Sequence, residues 1–128
     1  MPVAYAIRIT RTQLQQHPDW LFVFGDNLAG YGLGGQAKEC RGEPNAIGIP
    51  TKREPAKHDN AYFSDRDLSV WRAAVSPAFR KIEEALADGK IVVFPAAGIG
   101  TGRAELNKRA PAIWRELREW LDETFARN

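Results

Sequence analysis

Cysteine and histidine are scarce in this sequence, and their scarcity excludes several classes of site. Cys40 is the only cysteine in 128 residues, so neither a disulfide framework nor a zinc site of several thiolates can form within them. His17 and His58 are far apart and lack the spacing of metal ligands. We therefore expect no metal site, no cofactor, a reducing cytoplasmic location, and a buried Cys40 without nucleophilic chemistry.

Strong net charge and long apolar runs are also missing. Eighteen basic and sixteen acidic residues leave a formal net charge of +2, too small to indicate a nucleic-acid or membrane partner. No apolar run approaches the roughly 20 residues that span a bilayer. Residues 1–9 lack the basic start and long apolar stretch of a secretion signal. We expect neither a membrane nor a nucleic-acid partner, and the sequence identifies no protein partner.

The residues that are present indicate one globular domain over residues 1–128. The hydrophobic and charged fractions, 44% and 27%, are typical of such domains. Short apolar runs at 3–9, 20–25, 46–49 and 91–94 predict strands, the third stopped by Pro50, and a polar loop follows at 51–60. Periodic apolar residues predict helices near 68–86 and 110–124, and Pro77 predicts a kink or two abutting helices in the first of these. We also expect one helical turn at 12–16 and a short helix at 36–41.

This alternation of strands and helices predicts the fold class. We expect a three-layer α/β/α domain with a mixed, mainly parallel sheet, and ligands at the carboxyl ends of its strands. The helical stripes that contain Trp71, Phe79 and Trp120 are expected to be core and not a surface for stacking bases.

Two glycine-rich segments follow predicted strands. The first contains Gly30, Gly32, Gly34 and Gly35, and the second contains Gly98, Gly100 and Gly102. Glycine lets backbone N–H groups approach an anion, so such segments bind phosphate, although either one alone could serve only a turn. Because both follow buried strands, we expect them to open on the same edge of the sheet and to hold a diphosphate between them.

Polar residues beside these segments are candidates for the site. Lys52, Arg53 and Arg103 could offset phosphate charge, and Thr51 and Thr101 could add hydroxyl contacts, but all are also typical surface residues. Asp26 is a candidate base for a water attacking an anomeric carbon; alternatively, it is a turn aspartate bonded to backbone N–H groups. Tyr31, between two glycines, either covers the ligand or protrudes.

Residues 24–30 (FGDNLAG) with 34–37 (GGQA), and residues 93–95 (VFP) with 100–102 (GTG), resemble the macro domain family. Members of that family bind ADP-ribose, and some hydrolyse ADP-ribose linkages. The resemblance places Asn27 near the distal ribose, and Asp26 and Asn27 are the candidate catalytic residues. The predicted ligand-binding residues are Gly25, Asn27, Gly30, Gly32, Gly34, Gly35, Thr51, Lys52, Gly98, Ile99, Gly100, Thr101, Gly102 and Arg103.

The sequence departs from the family pattern, and two other functions stay open. Gly25 and Asp26 directly precede Asn27, and residues 47–52 have no counterpart, which indicates a divergent, phage-associated branch. Residues 98–105 nearly match the glycine, threonine and glutamate signature of lysine-decarboxylase-like nucleoside-monophosphate glycosidases, with a spacing that differs by one residue. The third alternative is a non-enzymatic protein that binds a partner through residues 52–60.

Overall fold

The computed structural model describes residues 3–128, which form four strands and five α-helices. The strands are β1 (Val3–Ala6), β2 (Leu21–Asn27), β3 (Ala46–Lys52) and β4 (Val92–Pro95). The helices are α1 (Arg11–Gln16), α2 (Ala37–Cys40), α3 (Leu68–Ala87), α4 (Leu106–Arg109) and α5 (Pro111–Arg127). Two short 3₁₀ turns, Asp59–Ala61 and Asp65–Asp67, precede α3.

The strands form one sheet in the order β1-β4-β2-β3, and all of their pairings are parallel. The central strand β2 pairs with both neighbours, so that Phe22 lies opposite Val93 on one side and Ala46 on the other. The predicted α/β class with a mainly parallel sheet is therefore confirmed. All four carboxyl ends meet at one edge, where we expected the ligand.

The sheet separates two hydrophobic cores because alternate strand residues face opposite sides. Val23, Ile49 and Phe94 face α3 and α5 in the larger core. Phe22 and Phe24 face α1 and α2 in the smaller one. The domain therefore has the three layers that the alternation of elements predicted.

Cys40 lies in the smaller core and is completely buried, as predicted. Burial raises the pKa of its thiol to about 11. The charge of Arg11 lowers the pKa, but this effect is smaller than that of burial. The thiol therefore stays protonated at neutral pH, which makes it a poor nucleophile.

Strand bounds differ from the predicted ones at both edges of the sheet. β1 ends at Ala6, three residues early, because its partner β4 ends at Pro95. β3 continues through Pro50 to Lys52, so the prediction that Pro50 stops it is wrong. An edge strand tolerates proline because one side of its backbone needs no ladder hydrogen bond.

The helix α3 runs unbroken through Pro77, so the prediction of two abutting helices is wrong. Pro77 has no N–H to donate to the carbonyl of Ala73, four residues earlier in the helix. Both residues are exposed, so water can solvate that carbonyl. The helix ends at a glycine as predicted: Gly89 has a φ of +77°, and the N–H of Lys90 donates to the carbonyl of Ala85 at 2.9 Å.

Within residues 3–128, no helix has both the length and the apolar character required to cross a bilayer.

The larger core also fixes the end of β3 next to the candidate site. The buried Trp71 of α3 donates from Nε1 to the carbonyl oxygen of Pro50 at 2.9 Å. Thr51 and Lys52 follow directly, so this bond anchors the backbone that carries both residues.

Candidate ligand-binding site

The two glycine-rich segments leave the adjacent strands β2 and β4 at the same sheet edge. We call residues 28–36, after β2, loop 1, and residues 96–105, after β4, loop 2. Loop 1 leads to α2 on the smaller-core face, and loop 2 leads to α5 on the larger-core face. In parallel sheets, a crevice that binds ligands opens where chains leave neighbouring strands toward opposite faces.

The two loops are in direct contact at this edge, and we call the region between them the crevice. A β-carbon added to Gly34 of loop 1 would lie 2.8 Å from a terminal guanidinium nitrogen of Arg103 in loop 2. At the base of the crevice, a β-carbon on Gly25 would lie 3.6 Å from Oγ1 of Thr51 and 3.9 Å from Cγ2 of Ile99. The structure thus brings together predicted site residues that are far apart in the sequence, such as Gly25 and Ile99.

Residues 53–61, which we call the strap, close a third side. The backbone N–H groups of Arg53 and Glu54 both donate to the carbonyl of Ala61, at 2.8 and 3.2 Å, which folds the strap back on itself. Pro55 lies against loop 1, where a β-carbon on Gly32 would be 2.8 Å from it. Most strap side chains are exposed, as expected for a polar loop.

Thr51 does not belong to that polar loop. It lies in β3, is only 4% exposed, and donates its hydroxyl to the carbonyl of Asp26 at 3.2 Å. This bond spans the irregularity in the β2 and β3 register between Asp26 and Asn27. Thr51 therefore joins two strand ends at the crevice.

Four cationic side chains gather at the same edge. Lys52 Nζ lies 4.4 Å from the ring centroid of Tyr62, and the guanidinium carbon of Arg109 lies 3.8 Å from it. Burial lowers the pKa of Lys52, and the charges of Arg103, Arg109 and Lys57 lower it further, while Glu105 alone opposes them. An anion placed among these cations would relieve their mutual repulsion.

The cations differ in how far they are already paired. Arg109 contacts carboxylate oxygens of Asp59 at 3.3 Å and Glu105 at 3.8 Å. Lys52 donates to the carbonyl of Ala56 in the strap. Arg103 is exposed and forms no salt bridge with any residue in 3–128. Arg103 is therefore the member of the cluster with the most free donors.

Asp26, the candidate base, is occupied by other contacts. Its two carboxylate oxygens accept from the guanidinium of Arg41 at 2.6 and 3.3 Å, and Oδ1 accepts the N–H of Asn27 at 2.8 Å. Its side chain also packs on Gly48, where a β-carbon would lie 2.7 Å away. These contacts match the alternative of a turn aspartate, and a catalytic role for Asp26 stays a prediction.

Arg41 is a residue of this region that the sequence analysis missed. Besides Asp26, it donates to the carbonyl of Gly32 at 2.8 Å and to that of Tyr31 at 3.3 Å. It therefore holds the middle of loop 1 from beneath. Nothing near Arg41 in the sequence signals this, because its partners lie nine to fifteen positions away.

Asn27 also stabilises loop 1. Its side-chain Nδ2 donates to the carbonyl of Tyr31 at 2.8 Å, and its Oδ1 accepts the N–H of Gly30 at 3.0 Å. An asparagine that bonds to backbone groups a few residues ahead is a standard way to close a turn. The contact of Asn27 with a ribose therefore stays a prediction.

Glu105 is the second residue that the sequence analysis did not place in the site. It is the only non-glycine residue in 3–128 with a positive φ, 48°, a conformation that costs energy and is often found at functional sites. Its charge acts on Lys52, so its carboxylate lies at the cation cluster. A sequence signal existed, because Glu105 ends the segment compared above with the glycosidase signature.

The glycines of loop 2 are not equivalent. Gly100 has a φ of +94°, and a β-carbon there would lie 3.0 Å from Cδ2 of Leu106, so its α-carbon faces the core. Gly102 lacks a positive φ and would have no neighbour within 4 Å of an added β-carbon. A side chain at Gly102 therefore extends into open space beside Thr101 and Arg103.

A second concave region lies between α3 and α5, away from both loops. This groove of about 350 Å³ is lined by Trp71, Phe79 and Trp120 among others, and Arg72 and Glu116 form an ion pair beside it. The rings of Phe79 and Trp120 stack with centroids 3.9 Å apart, and Trp71 is buried. The groove lies between packed helices, and its two cations, Arg72 and Arg80, are matched in number by Glu83 and Glu116.

Comparison with known proteins identifies the family. A family model described as a family of unknown function (DUF7831) matches residues 4–120, so the chain belongs to this family. No curated protein and no solved structure matches the chain. The family description gives no activity, so the resemblance to macro domains stays a prediction.

Replacing Arg41 tests whether it holds loop 1. Arg41→Ala should lower the free energy of unfolding by about 1.5–3 kcal/mol, the usual contribution of hydrogen bonds to a charged group, because Asp26 and two carbonyls lose their donor. Urea denaturation measures this change. Arg118→Ala, which breaks an exposed pair with Asp122, is the control and should cost about 0.5 kcal/mol or less. Equal stability of the two variants would show that Arg41 does not hold the loop.

Proposed function

We propose that this protein binds a phosphate-bearing nucleotide, with ADP-ribose the preferred ligand, in the crevice between loop 1 and loop 2. The observation that carries the proposal is the contact of Arg103 with Gly34. It sets the two glycine-rich loops face to face, beside the ammonium of Lys52. Backbone N–H groups and cations that converge on one crevice are the usual elements of a phosphate site.

The charge at the crevice supports an anionic ligand. Burial is the main cause of the lowered pKa of Lys52; the charges of Arg103, Arg109 and Lys57 act in the same direction, and that of Glu105 opposes them. A diphosphate brings two negative charges and many acceptor oxygens, so it offsets both the repulsion and the desolvation. A neutral ligand would do neither.

The choice of ADP-ribose rests on the macro domain resemblance. The two matched segments, residues 24–37 and 93–102, end β2 and β4 and supply the two loops that meet. On this proposal Gly34 and Gly35 contact one phosphate and Thr101 and Gly102 the other, and Thr51 and Ile99 border the crevice. A phage-associated origin and a cytoplasmic location belong to the same proposal and have weaker support.

Hydrolysis of an ADP-ribose derivative is a second candidate function, and the position of Glu105 favours it. Glu105 presents a carboxylate at the cation cluster, whereas the carboxylate of Asp26 is held by Arg41. A carboxylate close to a bound nucleotide can take a proton from water. Chromatography of the ligand after each binding experiment below reports turnover directly.

Gly102 offers a test that spares the fold. Gly102→Glu should weaken ADP-ribose binding at least tenfold, about 1.4 kcal/mol, because it puts a negative charge beside the proposed phosphate position. The open space around Gly102 and its ordinary φ allow the protein to fold normally. Isothermal titration calorimetry gives the affinities, and a thermal melt confirms folding.

Gly102→Gln is the matched control because it has the same size without the charge. It should retain more affinity than Gly102→Glu, and the difference between them should shrink as salt is added. If folded Gly102→Glu binds ADP-ribose like the unchanged protein, loop 2 does not contact the phosphates. If the unchanged protein binds neither ADP-ribose nor any other nucleotide tested, the proposal itself fails.

The pH dependence of binding tests Lys52. The lowered pKa means that Lys52 loses its proton below the ordinary value of 10.5, so the affinity for ADP-ribose should fall several-fold as the solution approaches ~pH 10. Lys52→Arg keeps its charge over this range, and its affinity should vary much less. Titrations of both proteins from neutral to alkaline pH measure the effect. Identical pH profiles would remove Lys52 from the site.

A further inference from the structure

We propose that Tyr31 and Leu33 of loop 1 form an apolar wall that contacts the planar ring of the bound nucleotide. The inference rests on the proposed function, because the phosphates held at the cation cluster would place the rest of the ligand against loop 1. It adds what the phosphate site does not specify, namely which residues contact the planar ring of the nucleotide.

Exposure is the first observation. The side chains of Tyr31 and Leu33 are 60% and 65% exposed, and Leu28, at the start of the same loop, is 38% exposed. Single exposed apolar residues are common on protein surfaces. Three of them lie within six positions of one glycine-rich loop, and this local concentration, which we call the patch, is more typical of a contact surface.

The position of the patch is the second observation. Gly32 lies against Pro55 of the strap, and Gly34 lies against Arg103 of loop 2. Leu33 sits between these two glycines, and Tyr31 directly precedes them. The wall therefore stands where loop 1, loop 2 and the strap meet, at the rim of the proposed phosphate site.

The fixed backbone is the third observation. The carbonyl of Tyr31 accepts from Asn27 at 2.8 Å and from Arg41 at 3.3 Å, and the carbonyl of Gly32 accepts from Arg41 at 2.8 Å. The main chain beneath the exposed ring is thus held at two consecutive residues. A surface that is already ordered loses less entropy when a ligand binds. A fixed main chain is therefore more typical of a recognition surface than of a solvated turn.

The chemistry of the two side chains identifies the group that they would contact. The tyrosine ring offers a flat face for stacking on a heterocycle, and leucine adds apolar contact without hydrogen bonds. Neither side chain can pair with phosphate as the nearby cations do. The ligand class is therefore a nucleotide whose ring lies against loop 1 while its phosphates lie against Lys52 and Arg103.

Binding of three ligands to Tyr31→Ala tests the wall. The variant should lose at least fivefold in affinity for NAD alone or for both NAD and ADP-ribose, while its affinity for ribose 5-phosphate, which has no ring system of this kind, should stay unchanged. A loss for ADP-ribose alone would overturn the wall, because NAD carries the same adenine. A loss for NAD alone assigns the wall to the nicotinamide ring, and a loss for both assigns it to adenine. Tyr31→Phe keeps the flat ring and should bind like the unchanged protein.

Val70→Ala is the matched control, because Val70 is a 49% exposed apolar residue on α3 and belongs to neither loop. It should leave all three affinities unchanged. Equal affinities of Tyr31→Ala and the unchanged protein for both ring-bearing ligands would overturn the wall while leaving the phosphate site intact. An equal loss for ribose 5-phosphate would also overturn it, since the substitution would then act through the loop backbone. Absence of binding by the unchanged protein would instead refute the proposed function.

Discussion

The ion pair between Arg41 and Asp26 connects the fold to the candidate site. Asp26 lies near the end of the central strand β2, and Arg41 follows the short helix α2, so their contact ties the strand to the chain that leaves it. The same guanidinium holds the carbonyls of Tyr31 and Gly32, and thereby sets the path of loop 1. The contact of Gly34 with Arg103 depends on that path. Asn27 adds two hydrogen bonds to the same loop, to the carbonyl of Tyr31 and from the N–H of Gly30.

The crevice contains cations and a strained glutamate whose proximity is not needed for a stable fold. Burial lowers the pKa of Lys52, Glu105 opposes this, and the charges of three nearby cations act with burial, while Glu105 adopts a left-handed backbone conformation. Both features cost free energy in the unliganded protein. Such costs are typical of functional sites, where a ligand relieves them. The groove between α3 and α5 contains neither a lysine with a lowered pKa nor a non-glycine residue in the left-handed conformation.

Local sequence patterns predicted the layers and the two glycine-rich loops, because they depend on neighbouring residues. The apolar run before Gly25 is buried on both faces of β2, and Gly89 ends α3 as expected. Two errors came from prolines whose tolerance depends on tertiary position, namely Pro50 in an edge strand and Pro77 on an exposed helix face. Arg41 could not be identified, since its role depends on partners brought near only by folding. The sequence predicted that both loops open at the same edge of the sheet, but it did not give the strand order that makes β2 and β4 neighbours.

The central claim is that a nucleotide binds between loop 1 and loop 2, and its most direct test is a titration of the ¹⁵N-labelled protein with ADP-ribose followed by NMR. The account predicts saturable shifts of backbone amide signals in residues 30–35 and 98–103, with little change in residues 72–83 beside the α3 and α5 groove. Shifts confined to residues 72–83, or no saturable shift at roughly millimolar ADP-ribose, a concentration that detects even weak complexes, would contradict it.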